Sequence, residues 1–156
     1  MKLKFLVDED CANYKKTSMF IGFPTCTWKC DRMNCQNSAL ANAPDIEISK
    51  EEICERYVNN PLSEAIVCGG LEPFDSELTL VPLLDCLRNQ YHCNDDIVIY
   101  TGYTEEELTT GRRQQGTSEE VHKSIFESVI NLGNVIIKYG RYIPNDTPRY
   151  DDILGV

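Results

Sequence analysis

The sequence predicts an α/β fold, an open or partial (β/α) barrel with a mostly parallel sheet of four to five strands. Short apolar runs alternate with stretches of helical periodicity along the 156 residues. Continuous apolar runs separated by helices are typical of buried parallel strands rather than of hairpins. Four or five strands cannot close an eight-stranded barrel, so an open sheet is expected. The length is that of one domain, predicted over residues 1–156.

Four apolar runs predict the core strands, and an N-terminal run over residues 3–7 predicts an edge strand. The core runs are Ser18–Phe23, Glu64–Cys68, Ile97–Tyr100 and Val135–Ile137. Each is short and is followed by glycine or polar residues, which is typical of a strand ending at a functional edge.

Two helices are predicted in the first half of the chain. Ser49 and Glu52 form a capping box that opens a helix, and Pro61 stops it. Residues Ser76–Asn89 carry leucines at helical spacing. Because Pro82 lacks a backbone N–H, we expect a break or a kink there.

Two further helices are predicted in the second half. One is short, from Glu105 to Leu108. The other begins with a second capping box at residues 117–120 and has apolar residues at helical spacing from Val121 to Ile130. Gly133 is well placed to end it.

Composition excludes several classes of function. A net charge of −10 makes nucleic acid an unexpected partner, because phosphates are bound by clustered Lys and Arg. No apolar run reaches the ~18 residues of a membrane helix, and the N-terminus lacks the apolar core of a secretory signal. We therefore expect a cytoplasmic protein that binds no membrane.

The eight cysteines invite a disulfide interpretation, since their number is even. Without a secretory signal, reduced thiols are the better expectation. Cys54, Cys68 and Cys86 lie on predicted helices and strands, where a small buried apolar role is expected. His122, on the last helix, is expected to be an ordinary surface histidine.

Three further cysteines, Cys26, Cys30 and Cys35, lie together in the loop after the first core strand. Three thiolates can hold three irons of a [4Fe–4S] cube and leave the fourth open. Zinc is the alternative, since thiolates at short spacing are also its usual ligands. A structural zinc site needs four ligands, and Cys11 could supply the fourth.

A second motif, Gly69-Gly70-Leu71-Glu72-Pro73, follows the next core strand. Two glycines allow positive φ and close approach of a ligand to the backbone. Glu72 is suited to accept hydrogen bonds from an ammonium group. Because the carboxyl ends of parallel strands share one edge, this motif and the cysteine loop are expected to meet in one cleft.

These residues resemble the radical SAM superfamily, in which an iron–sulfur cluster cleaves S-adenosylmethionine (SAM). Within it, they are most similar to the small activating proteins of anaerobic ribonucleotide reductase. Four segments carry the resemblance: Cys26 to Asn37, Gly69 to Phe74, Tyr100-Thr101-Gly102-Tyr103, and Lys138 to Tyr142.

The resemblance implies the cofactors, the partners and a set of site residues. Cys26, Cys30 and Cys35 would ligate a [4Fe–4S] cluster whose open iron chelates SAM. Gly69, Gly70 and Glu72 would hold the methionine amino end, and Asn37, Thr101 and Tyr103 would line the same cavity. The enzyme, a radical SAM oxidoreductase, would generate a glycyl radical on the large subunit of anaerobic ribonucleotide reductase. Its electron donor would be a protein such as flavodoxin or ferredoxin.

Two features depart from the family pattern. The usual loop is Cys-x3-Cys-x2-Cys, whereas four residues precede Cys35 here. Relatives also continue with a polar segment beyond the apolar end at Val156, so the resemblance implies a longer natural C-terminus. A radical SAM enzyme with another substrate, and a non-catalytic iron–sulfur or zinc module, are the alternative functions.

Overall fold

A five-stranded sheet forms the centre of the computed structural model, which describes residues 1–110, 119–147 and 149–156. The strands are β1 (Lys2–Leu3), β2 (Phe5–Asp10), β3 (Ser18–Phe23), β4 (Ile46–Glu47), β5 (Ala65–Gly70), β6 (Asp96–Tyr100) and β7 (Val135–Lys138). The central sheet has the order β2-β3-β5-β6-β7, and β1 pairs with β4 in a small second sheet.

The central sheet is mostly parallel. Strands β3, β5, β6 and β7 run in the same direction, and β2 pairs antiparallel with β3. This confirms the prediction of an α/β fold with a mostly parallel sheet. Among the described strands, β2 and β7 are the two edges, so the sheet is open and forms no closed barrel.

The N-terminal edge differs from the single strand expected over residues 3–7. The chain forms β1 and β2 on either side of Lys4, and only β2 joins the central sheet. Phe5 lies opposite Gly22 of β3. A side chain at Gly22 would collide with the Phe5 ring, so glycine leaves room for the ring against β3.

The helices are α1 (Lys50–Val58), α2 (Glu77–Asp85), α3 (Glu105–Thr110) and α4 (Glu119–Ile130). The Ser49 side chain accepts a hydrogen bond from the Glu52 N–H at 3.0 Å, which confirms the first predicted cap. Gly133, at φ +73°, donates to the Ile130 carbonyl at 3.2 Å and ends α4 as predicted. The second predicted capping box begins at residues 117 and 118, which lie outside the described residues.

Of the break or kink expected at Pro82, the break does not occur, because Pro82 lies inside α2. A π-helical turn over Cys86–Gln90 follows α2 directly. A proline in a helix removes one backbone hydrogen bond. Leu80, Leu83 and Leu84 are fully buried, and this packing holds the helix together despite the lost bond.

The main hydrophobic core lies between the helices and one face of the sheet. It combines alternate strand residues such as Ile97 and Ile99 with apolar residues of α1, α2 and α4. Val98 faces the other side, where a smaller cluster is closed by Tyr14 and Leu154. The helices therefore cover one face, and loop and C-terminal residues cover the other.

All eight cysteines are free thiols, and Cys54, Cys68 and Cys86 are fully buried as predicted. Within the described part of the chain, no helix is both long enough and apolar enough to span a membrane.

Candidate iron–sulfur and cofactor site

The predicted site residues meet at the carboxyl edge of the sheet, around a cavity of about 340 Å³. Its walls are Cys26, Cys30, Cys35, Gln36, Asn37, Gly69 to Glu72, Tyr100 to Gly102, and Lys138 to Tyr142. Eight of the nine predicted site residues are among them; Tyr103 is not. The convergence follows from the parallel strands, whose ends carry these residues to one edge.

The cysteine loop is shaped by two left-handed residues, Trp28 at φ 61° and Asp31 at φ 65°. The Trp28 N–H donates to the Cys26 sulfur at 3.2 Å. The Asp31 carbonyl accepts from the backbone N–H groups of Asn34 and Cys35, both at 3.1 Å. The longer gap before Cys35 is thus folded into a turn that brings this thiol back to the cavity.

Two of the thiols, Cys26 and Cys30, have raised pKa values as free groups. Burial raises the pKa of Cys26 to about 12. Burial, followed by the neighbouring Cys35 thiol, also raises the pKa of Cys30. A coordinated metal deprotonates a thiol outright, so bound iron would supply the positive charge that these sulfurs need as thiolates. The N–H bond to the Cys26 sulfur is a contact of the kind that tunes such clusters.

The three cavity-lining thiols are ligands of the kind that iron and zinc both take. Among the described residues, no three His, Cys, Asp or Glu side chains are placed to hold one metal ion. A [4Fe–4S] cube binds each thiolate through a different iron, so its ligands stand farther apart than those of one zinc ion. Three thiols on the wall of one cavity are a donor set that fits three irons of the cube.

The diglycine turn lies against β3. Gly70 has φ +84°, and a Cβ there would come within 2.9 Å of the Gly22 Cα. Only glycine satisfies both the conformation and the contact. The Asn37 side-chain amide donates to the Gly70 carbonyl at 2.7 Å. The end of the cysteine loop is thereby joined to the turn.

Glu72 is buried and connects the ends of β5 and β6. Its Oε1 accepts from the Thr101 hydroxyl at 2.8 Å and the Phe74 N–H at 3.2 Å, and its Oε2 accepts from the Gly102 N–H at 2.8 Å. Burial outweighs these bonds and raises the pKa of Glu72 to about 7. Among the described residues, the Gly102 N–H is the hydrogen-bond partner of Oε2, which can accept a further donor from the cavity.

Tyr103 lies beside the cavity, next to the cysteine loop, rather than in its lining. Its hydroxyl donates to Asp75 Oδ1 at 2.6 Å. His122 Nε2 lies 3.0 Å from the same oxygen and 3.4 Å from the Tyr103 hydroxyl. Burial alone would raise the pKa of Asp75, but the bonds from His122, Tyr103 and Thr27 outweigh it and lower the pKa.

The expectation of a surface role for His122 was wrong, because its side chain is only 6% exposed. Sequence reasoning also overlooked Asp75. His122 stands three and seven residues before Ile125 and Val129, which are both buried on the same helix face. That spacing was the available signal that His122 faces inward.

Two cationic side chains line the cavity at and just beyond the end of β7, and each forms an ion pair. Arg141 contacts Glu107 at 2.5 Å, and Lys138 contacts Asp151. Burial would raise the pKa of Glu107, but the Thr104 N–H and Arg141 together lower it. Arg141 therefore borders the cavity as one half of an ion pair.

Comparison with known protein families assigns the class of this site. A family model described as a 4Fe-4S single cluster domain matches residues 15–137, which include all three loop cysteines. The site is thus that of an iron–sulfur protein, and the chain belongs to the 4Fe-4S single cluster domain family. The predicted [4Fe–4S] cluster is confirmed at the level of the family. No curated protein and no solved structure matches the chain.

Proposed function

We propose that this protein is a radical SAM activating enzyme that installs a glycyl radical on the large subunit of anaerobic ribonucleotide reductase. One observation supports it most: the cavity joins the three thiols to the diglycine turn, to Glu72 and to the ends of β6 and β7. A cluster that serves only structure or electron transfer does not need the diglycine turn, Glu72 and the ends of β6 and β7 beside its thiols. The open sheet is compatible with the partial barrel that the proposal implies.

The residues divide the work between cluster and cosubstrate. Cys26, Cys30 and Cys35 would hold the cluster. When bound and reduced, a [4Fe–4S] cluster with one open iron supplies the electron that cleaves the sulfonium of SAM. Glu72 Oε2 would accept a hydrogen bond from the ammonium group of the methionine moiety. The cavity, at about 340 Å³, is within the usual range for small ligands.

Apolar side chains next to the cavity support a protein substrate. Met33, in the cysteine loop, is 92% exposed, and Ile143, just beyond the lining residue Tyr142, is 62% exposed. Each adjoins a segment that lines the cavity, so a protein bound over the cavity would bury both side chains. The reductase would cover them and complete the cavity, while a flavodoxin or ferredoxin would deliver the electron.

Anaerobic reconstitution tests the proposal. The protein is loaded with iron and sulfide, reduced and mixed with SAM, and 5′-deoxyadenosine is quantified. The reductase is then added and its glycyl radical is sought by electron paramagnetic resonance (EPR). We expect both products. Cluster formation without SAM cleavage, even with the reductase present, would establish the non-catalytic module instead, and turnover of a small molecule without the reductase would indicate another radical SAM substrate.

Two cysteine variants provide a matched comparison. Burial raises the thiol pKa to about 12 at both Cys26 and Cys68, but only Cys26 lines the cavity. Cys26→Ala should lose cluster iron, whereas Cys68→Ala should keep it in the folded protein. Equal iron content in the two variants would contradict the assignment of the cysteine loop.

Glu72 variants test the SAM half of the site separately. Glu72→Gln keeps the length of the side chain but presents an amide N–H in place of one acceptor. SAM binding should weaken at unchanged iron content, and Glu72→Ala should weaken it further. If iron content falls in parallel with SAM binding, the proposed role of Glu72 is wrong.

A further inference from the structure

The carboxylate of Asp75 connects the cysteine loop to distant parts of the fold. Its Oδ2 accepts from the Thr27 backbone N–H at 2.6 Å, and Thr27 directly follows Cys26. Its Oδ1 accepts from the Tyr103 hydroxyl at 2.6 Å and lies 3.0 Å from His122 Nε2. The Asp75 side chain is only 4% exposed. A buried ionised carboxylate of this kind forms strong, short hydrogen bonds.

A second set of bonds holds the loop on the other side of Cys26. The Thr25 hydroxyl lies 2.5 Å from the Ser76 hydroxyl and donates to the Asp75 carbonyl at 3.1 Å. The Glu72 N–H donates to the Thr25 carbonyl at 2.8 Å. Cys26 is therefore bracketed by residues 25 and 27, and both are bonded to the segment that follows β5.

Neither Asp75 nor His122 lines the main cavity. These two side chains act on the site through the backbone of the cysteine loop rather than through a ligand. His122 belongs to α4, so the contact extends from the cysteine loop to the last helix of the fold. A group that orients the shell around a metal site in this way contributes strongly to metal retention.

We propose that Asp75 is a positioning residue for the iron–sulfur cluster, and that His122 holds the Asp75 carboxylate in the orientation that receives the Thr27 N–H. The pair sets the direction of the Cys26 thiol. This role rests on cluster binding by the family and does not require the proposed activase reaction.

Asp75→Asn tests the proposal. The amide retains one acceptor oxygen, so either the Thr27 N–H or the Tyr103–His122 side loses its acceptor. After anaerobic reconstitution, iron retention against a chelator should weaken by roughly tenfold or more, as for other residues that orient metal ligands. The EPR spectrum of the reduced cluster should change as well. Both readouts need no SAM and no reductase, so they are independent of the proposed function.

Asp95→Asn is the matched control. Asp95 accepts the Tyr57 hydroxyl at 2.7 Å, beside the start of β6, at the opposite edge of the sheet from the cavity. Asp95→Asn makes the same chemical change at the same kind of tyrosine–aspartate hydrogen bond, but away from the cluster site. Iron retention and EPR spectrum should be unchanged in this variant. If Asp75→Asn behaves like Asp95→Asn, the proposal is overturned.

Two His122 variants decide the matter if Asp75→Asn does not fold. His122→Gln can still donate an N–H to Asp75, and His122→Ala cannot. We expect the glutamine variant to keep the iron retention and EPR spectrum of the unaltered protein. The alanine variant should change both. Equal iron retention and identical spectra in the two variants would overturn the proposal.

Discussion

The diglycine turn offers a test of the site architecture that needs no cofactor. Gly70→Ala places a methyl group where the structure leaves no room. The added Cβ would lie 2.9 Å from the Gly22 Cα and 3.1 Å from the Phe23 nitrogen, and both are backbone atoms of β3. Backbone atoms of a paired strand cannot rotate away as a flexible side chain can. The strain must therefore move β5 away from β3 or deform the turn.

The magnitude has two parts. Gly70 has φ +84°, where an alanine costs about 1–2 kcal/mol. Overpacking against β3 adds a further ~1–3 kcal/mol. Gly133→Ala is the matched control, because Gly133 has φ +73° and a Cβ there would meet nothing within 4 Å. It carries the first cost without the second.

Urea unfolding of the cluster-free, reduced protein measures both variants by circular dichroism. The free energy of unfolding should fall by about 1–2 kcal/mol for Gly133→Ala and by about 2–5 kcal/mol for Gly70→Ala. Equal destabilisation of the two variants would refute the close approach of the turn to β3 as the reason for glycine at position 70.

Three further perturbations follow from the same structure. Burial raises the Glu72 pKa from 4.5 to about 7. This carboxyl therefore stabilises the folded state below pH ~4.5, and that contribution, about 3 kcal/mol, is lost as the pH rises to ~7. Glu72→Gln should remove this pH dependence from the free energy of unfolding, measured from pH 5 to 8. Gly22→Ala should destabilise the protein by ~1–3 kcal/mol, because the added methyl group collides with the Phe5 ring. Adding Phe5→Leu should restore part of that stability, which a double-mutant cycle measured by urea unfolding would show. Arg88 is only 7% exposed and donates to four backbone carbonyls at 2.6–3.4 Å. Arg88→Met should therefore lower the free energy of unfolding by about 3 kcal/mol or more, and a loss under ~1 kcal/mol would contradict this.

Local signals predicted the elements because their causes lie within a few residues. The Ser49 cap bonds to a group three residues away, and Gly133 supplies a left-handed conformation at the next helix end. The continuous apolar run of β3 also predicted a strand buried on both faces. Pro82 is the exception, since the decisive packing of its helix comes from other parts of the chain.

Parallel strand direction predicted where the site would form. Once β3, β5 and β6 run in the same direction, their ends and the residues after them share one edge. The predicted lining of the cavity followed from that single property. Tyr103 lies outside the lining, although the neighbouring Thr101 and Gly102 belong to it.

The sequence alone was enough to indicate an open α/β sheet, three candidate cluster thiols and a glycine-rich turn beside them, because strand alternation and residue chemistry are local or periodic properties. Tertiary structure decided which side chains bond to one another: Glu72 to Thr101, and Asp75 to Thr27 and to His122. His122 lies 47 residues from its partner. A hydrogen bond depends on tenths of an ångström, and over such a separation only the packing of helices on the sheet sets that distance.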